Sequence, residues 1–348
     1  MRKTLSRPQT WIGVAVSLLA LGYALRGIAW ADLVAELQHA DYRWLIPAAL
    51  AIVAGQFLRT ERWRRLFAAE TRPAFRISFA ILCVGYLVST IFPLRLGDPF
   101  RAWAVDRYAE ASLVDALASV LVERVLDLLS IFVLLAVLLP EPEAALLGAR
   151  FGPGPWADAA TLRLITGGLT LLAYLGLIIA ATVGQPLGRG VEAGLTRLGL
   201  PDGASRRLGR LAAGFAEGLR PLRRPGPALT ALAWSLAVWL VGGLGYWLVM
   251  FAFDLRLSYS AAIFVMCGVA FAAILPSTPG YTGVFHAAVV VSLELIAGTP
   301  RDLAFSYAVV EHGITMLVLL AMGPIGLRLL GMSRRELGQR VERSTEGL

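Results

Sequence analysis

The run Gly85 to Gly97, GYLVSTIFPLRLG, recurs as Gly268 to Gly280, GVAFAAILPSTPG, with glycine, proline and glycine in the same register. Each copy is an apolar stretch of helix length interrupted by proline, Pro93 in the first and Pro276 in the second. Proline removes a helix hydrogen bond, and backbone groups freed inside hydrocarbon must be met by protein or by a wet cavity. Two broken apolar helices in corresponding halves of a chain therefore point to a binding site within a membrane.

The rest of the chain fits that setting. With 57% hydrophobic and only 16% charged residues in 348, it is too apolar for a soluble domain built on one core. Cys83 and Cys267 sit inside apolar runs and read as packing, and His39, His286 and His312 have no zinc-ligand spacing, so no metal or cofactor is expected. No P-loop or G-x-S-x-G element is present, so no catalytic residue is assigned, and nothing points to nucleic acid as a partner. The N-terminal run Trp11 to Leu25 lacks a small-residue cleavage site after it. Arg26 and Trp30 look like interfacial anchors, which makes this run a first span.

Apolar runs predict spans near 10–30, 43–58, 113–139, 161–183, 228–252 and 302–330, with paired segments at 76–110 and 258–298. Basic blocks lie at Arg59 to Arg76, in the connector at 184–227 and in the C-terminal tail, and the positive-inside rule assigns all three to the cytoplasm. That is possible only if the first broken segment enters and leaves on one side. The second then dips from the other side, which makes the repeats inverted. Parity alone does not separate a re-entrant segment from a full double crossing. The expectation is one all-α polytopic membrane domain, 1–348, of about six full spans plus two broken or re-entrant helix pairs in an inverted repeat. The first repeat covers about 43–139, the basic connector 184–227 and the second repeat about 228–330.

Glu123 and Glu311 lie nine or ten residues into their spans, which at 1.5 Å per residue puts each roughly 15 Å deep, near the membrane midplane. Arg124 and Asp127 are three apart and able to pair, while Glu123 and Asp127 are four apart and share a face. One carboxylate is left over. Arg95 and Arg101, carried by the break PLRLGDPFR, are the candidates to meet it. Such a cluster either locks the broken helix in place or lines a polar cavity, and intramembrane charges favour the second.

Within the first break Pro93 ends a half-helix, Gly97 permits reversal, and Asp98 with Pro99 reads as N-cap and N1 of the next helix. Its positive end beside Arg95 and Arg101 suits a phosphate or carboxylate. In the second break Pro276, Pro279, Gly280 and Gly283 interrupt the chain, and Thr278 or Thr282 is placed to cap the half-helix carrying His286. This copy has no arginine. It offers Thr278, Tyr281, His286, Glu311 and His312, with the two histidines as candidate proton carriers.

Five runs carry a resemblance: WRRLF, FPLRLGDPFRAW, VLVERVLDLLSIFVLL, PSTPGYTGVFHAAVV and YAVVEHGITMLVLLAMG. Over nearly its whole length the chain resembles the membrane-domain family of lysylphosphatidylglycerol synthases, also called flippase-like or UPF0104 proteins. The most specific elements are G-[DE]-x-x-R, here Gly97, Asp98 and Arg101, and E-R-x-x-D, here Glu123, Arg124 and Asp127. The third family element, S-P-G-G-x-G-x-x-E, departs from pattern, with His286 in place of the acid. The resemblance implies a stand-alone member without the soluble transferase domain, in a bacterial cytoplasmic (inner) membrane with both termini cytoplasmic. It also implies a flippase-like transporter of an anionic phospholipid or lipid-linked headgroup. The alternatives are a membrane-embedded lipid or polyprenyl-phosphate transferase, and a partner that presents lipid to a separate soluble transferase. The substrate-binding candidates are Arg95, Asp98, Arg101, Glu123, Arg124, Asp127, Thr278, Tyr281, His286, Glu311 and His312. Gly85, Pro93, Gly97, Pro99, Gly268, Pro276, Pro279, Gly280 and Gly283 are the residues that break the helices.

Overall fold

The computed structural model describes residues 8–92, 96–109, 111–138, scattered positions between 161 and 176, 185–218 and 225–346. Among the described residues the chain is helical, without strands. The first half contains α1 (Pro8–Leu25), α2 (Trp30–His39), α3 (Leu45–Arg64), α4 (Phe75–Ile91), α5 (Gly97–Tyr108) and α6 (Leu113–Leu138). Next come α7 (Gln185–Arg197) and α8 (Asp202–Gly218), then α9 (Pro225–Ala252), α10 (Tyr259–Ala272), α11 (Val284–Ala297), α12 (Arg301–Leu330) and α13 (Arg334–Glu346). A short 3-10 turn, Pro279–Tyr281, stands between α10 and α11.

Among the described residues three stretches are long and apolar enough to cross a membrane, Gly226–Ala252, Pro279–Ala297 and Arg301–Leu330, or four if a bent pair counts as one. That pair is the expected first span: it does not run straight to residue 30 but bends by 85° between Leu25 and Trp30, at a turn where Gly27 takes φ 76°. The helix expected over 43–58 runs on to Arg64, which brings Arg59 and Arg62 into the bundle. α6 is 26 residues long but carries Asp115, Glu123, Arg124 and Asp127, so length alone qualifies it. The span expected at 161–183 falls mostly outside the described residues. The result is an all-α membrane protein.

Among the described residues the two main cores centre on different halves of the chain, each with some residues from the other. The first joins Trp63 of α3 to Ile81, Leu82 and Val84 of α4, Phe100 of α5 and Leu126 and Leu129 of α6. The second joins Val249 and Met250 of α9 to Val289 and Leu293 of α11 and to Tyr307 of α12. The halves are tied by α3 packed along α9 and α4 packed along α12, the most extensive contacts between them.

Both breaks fall where proline and glycine require them. α4 ends at Ile91 and α5 begins at Gly97; α10 ends at Ala272 and α11 begins at Val284. Pro93 and Arg95 lie outside the described residues. The two flanking helices of the first break cross at glycine: a Cβ on Gly97 would overlap the Gly85 carbonyl oxygen and Ser89 Oγ, and one on Gly85 would sit 2.7 Å from Arg101 Cγ. Bare backbone there lets α5 lie against α4 closely enough for Arg101 to pass beneath.

Two capping expectations are corrected. α5 starts at Gly97 with Leu96 as N-cap and without a side-chain cap, so Asp98 lies inside the first turn, where its carboxylate accepts from arginines instead. Neither Thr278 nor Thr282 caps α11; that position is Gly283, at φ 88°. Thr278 turns toward α1, where its backbone N–H donates to Ser17 Oγ at 2.8 Å, and its own hydroxyl donates to the Thr282 carbonyl at 3.1 Å. Tyr281 holds φ 59°, uncommon for a bulky residue, and so turns the chain between Gly280 and Gly283.

Candidate functional site

α6 supplies three consecutive-turn charges, and the surrounding helices answer each of them. Glu123 is 1% exposed and accepts from two arginines: Arg62 Nη2 of α3 at 2.6 Å and Arg101 Nη2 of α5 at 2.6 Å. Arg62 is itself 0% exposed and also donates through Nη1 to Asp127 at 2.5 Å. Asp127 accepts further from Trp239 Nε1 of α9 at 3.1 Å and from Arg124 at 3.5 Å. Arg124 closes the circuit by donating to Asp98 at 3.2 Å, which also accepts from Arg101 at 3.4 Å. Three arginines and three carboxylates thus form one neutral network across α3, α5 and α6. Multiple hydrogen bonds per ion are what make such burial tolerable.

Arg101 is shielded on its other face by the Trp63 ring, 4.5 Å from its guanidinium carbon. Trp63 is held in turn by a 3.0 Å hydrogen bond from its Nε1 to Ser119 Oγ. The network has a dry side and a wet side. Glu123, Arg62 and Arg101 are enclosed, whereas the Arg124 side chain keeps 42% of its surface and Asp98 28%.

The open side faces a cavity of about 600 Å³ lined by both halves of the chain. One wall carries Gly97, Asp98, Arg101, Arg124 and Asp127; the other carries Tyr246, Tyr281, Glu311, His312 and Thr315. Glu311 is 1% exposed, and its described polar contact is the Thr315 hydroxyl, which donates at 3.0 Å. No cation lies within ion-pair distance of Glu311 among the described residues. Glu123 and Glu311 are therefore unlike, one accepting from two arginines and one from the Thr315 hydroxyl among the described residues.

His312 Nε2 sits 2.8 Å from the Gly280 carbonyl oxygen. A carbonyl only accepts, so the hydrogen is on Nε2 and Nδ1 is left as an acceptor. His286 receives the Gly283 backbone N–H on Nδ1 at 3.4 Å, the opposite arrangement. The two rings lie 5.0 Å apart in an edge-on geometry, with Phe285 stacked on His312 at 4.6 Å.

The structure thus brings Asp98, Arg101, Arg124, Asp127, Tyr281, Glu311 and His312 to one cavity. Glu123 stands behind the wall, and Thr278 and His286 are not part of the lining. Arg95 lies outside the described residues. Sequence reasoning missed Arg62 and Arg59, both assigned to a cytoplasmic basic block, as well as Gln56, Tyr86, Trp239 and Tyr246. Charge counting gave no signal for Arg62, because Arg95, Arg101 and Arg124 already balanced Asp98, Glu123 and Asp127 in the sequence. Among the described residues no cluster of histidine, cysteine and carboxylate suits a metal ion.

Residues 10–323 match the family described as the lysylphosphatidylglycerol synthase TM region. The chain belongs to this family. It is 25% identical to the protein named Glycosyltransferase AglD of Haloferax volcanii over 96% of its own length, and spans 56% of that relative. Two proteins of Methanothermobacter thermautotrophicus, each named UPF0104 membrane protein, are 27% and 23% identical, over 81% and 93% of this chain and 82% and 96% of their own lengths. No solved structure matches. The family match covers both breaks, the charge network and the cavity walls, so the region described above is the family's own membrane part.

Proposed function

We propose that the chain is a flippase-like transporter that takes the anionic headgroup of a phospholipid or lipid-linked precursor into the cavity and passes it between leaflets. The observation that carries this reading is the cavity itself. It is roomy enough for a headgroup, lies between the two halves, and is lined by charged and aromatic side chains from both. The positive end of α5, with Gly97 and Asp98 at the lining, and the arginines Arg59, Arg101 and Arg124 around the same cavity favour an anionic headgroup over a neutral one. Glu311 and His312 on the opposite wall are the groups able to exchange a proton during the cycle.

In this reading the molecule has about six full spans and two inverted repeats, 43–139 and 228–330, with the broken helices as the moving or hinging parts. The pairing of α4 with α5 and of α10 with α11, and of α3 with its counterpart α9, supports it. Both termini are cytoplasmic in a bacterial inner membrane. In a protein with Cys83 and Cys267 replaced by alanine, a single cysteine at exposed Arg256 is expected to react with an impermeant maleimide from outside intact cells. Cysteines at Glu70 and Arg207 are expected to stay unlabelled; labelling of Arg207→Cys from outside would end the inverted arrangement.

The glycosyltransferase name of the Haloferax relative favours a second reading, in which this module presents a lipid to a separate soluble transferase. Both readings require a bound phosphate-bearing lipid. Native mass spectrometry of the purified protein is expected to show one such lipid retained at stoichiometric level. Protein that emerges lipid-free, or carrying only neutral lipid, would overturn both.

A further inference from the structure

Among the described residues, seven acidic, basic or histidine side chains line the cavity: Arg59, Asp98, Arg101, Arg124, Asp127, Glu311 and His312. Arg101 and Arg124 are each committed to carboxylates. Arg59 is different. No carboxylate lies within ion-pair distance of it among the described residues, and its described contacts are to one side chain, Tyr86: Nη1 donates to the phenol oxygen at 3.4 Å, and the guanidinium carbon is 5.9 Å from the ring centre.

A partly buried cation that lines a cavity without an acid partner is a group that a ligand anion would satisfy. A second, independent observation marks the same place. Gln56, one turn earlier on α3 and 5% exposed, lines the cavity with its side-chain oxygen unpartnered. Amide oxygen and nitrogen exchange places on a flip, so the unpartnered position of the Gln56 amide can be filled by an acceptor or a donor. Tyr86 accepts from Arg59, which leaves its hydroxyl hydrogen free to donate into the cavity. Ser89, one turn further along α4, lines it too.

We infer that Arg59, Tyr86 and Gln56 form the oxyanion seat of the cavity, taking the phosphate of the headgroup between α3 and α4, while Arg101 serves the ion network. The assignment rests on the proposed headgroup-binding reading and specifies its ligand chemistry as a phosphate ester. A guanidinium fork, a phenol and an amide are donors suited to two oxygens of a phosphodiester or three of a phosphomonoester. The seat adjoins the network without competing with it, so the protein stays assembled whether the seat is filled or empty.

The test uses the full chain in detergent, titrated with dihexanoyl phosphatidylglycerol and, separately, with glycerol phosphate, which has the phosphate but no chains. Arg59→Gln is expected to weaken phospholipid binding about tenfold, and Arg59→Lys about threefold, since lysine keeps the charge and loses the fork. Tyr86→Phe is expected to weaken it severalfold. Arg256→Gln, at an exposed loop position, controls for net charge and is expected to bind as wild type. Glycerol phosphate competing in wild type and failing to compete in Arg59→Gln supports the seat as a site for the phosphate itself. Competition that is unchanged in Arg59→Gln overturns it. Phospholipid binding equal to wild type in folded Arg59→Gln and Arg59→Lys proteins removes the seat and leaves the headgroup-binding reading standing. A wild-type protein that binds no phospholipid removes that reading as well.

Discussion

Arg62→Ala is expected to cost about 3–5 kcal/mol and to leave little folded protein after detergent extraction, because it removes the cation shared by the buried Glu123 and the partly buried Asp127. Arg62 is the one cation that bridges Glu123 and Asp127, through contacts of 2.6 and 2.5 Å, from a fully enclosed position. Without it Glu123 keeps only Arg101, and Asp127 keeps Trp239 and a 3.5 Å contact to Arg124. The network would also carry one net negative charge inside an apolar surround. Arg62→Met combined with Glu123→Gln is expected to be markedly milder than Arg62→Ala, since it removes one charge of each sign and leaves the remainder neutral. The check is the thermal midpoint and the monodisperse yield of each variant in the same detergent. An Arg62→Ala protein that melts with wild type would show that the network does not hold the first half together.

The sequence made the breaks visible because the residues that cause them act locally. Proline and glycine interrupt a helix whatever surrounds it, and α4, α5, α10 and α11 end and begin around Pro93, Gly97, Pro276 and Gly283. The i,i+3 and i,i+4 relations on α6 were legible for the same reason, and Arg124–Asp127 and the shared face of Glu123 and Asp127 follow from helical geometry. What was not legible depends on contacts between distant segments. Arg62 belongs by sequence to a basic block that topology rules alone explain, and only the continuation of α3 to Arg64 and its packing on α6 and α9 turn it inward. Arg59 was hidden in the same way. The cap of α11 was misread because Ser17, more than 250 positions away, claims Thr278.

The asymmetry between the two halves was foreseeable in kind, since the second break contains no arginine. Its consequence was not. Two acids, each in the first half of a long helix, end in opposite situations: Glu123 sealed by two guanidinium groups, Glu311 facing the cavity with Thr315. In the proposed transport cycle the first holds helices together and the second exchanges a proton.

Headgroup passage through that cavity is the central claim, and Gly55 offers a way to obstruct it without disturbing the fold. Gly55 lines the cavity from α3, and a Cβ placed on it meets no atom within 4 Å. Gly55→Leu therefore fills space where headgroups would pass, while replacing glycine inside a helix favours the folded state by roughly 0.5–1 kcal/mol. An obstruction of roughly 1–3 kcal/mol in the path would slow exchange about ten- to a hundredfold. The decisive measurement is leaflet exchange in reconstituted vesicles carrying fluorescent phosphatidylglycerol in both leaflets, with a membrane-impermeant quencher added outside. Wild-type protein is expected to bring inner-leaflet lipid out to the quencher, and Gly55→Leu protein, equally stable and equally incorporated, to lose most of that activity. Wild-type vesicles in which only the outer-leaflet lipid is ever quenched, as in protein-free vesicles, would contradict the account.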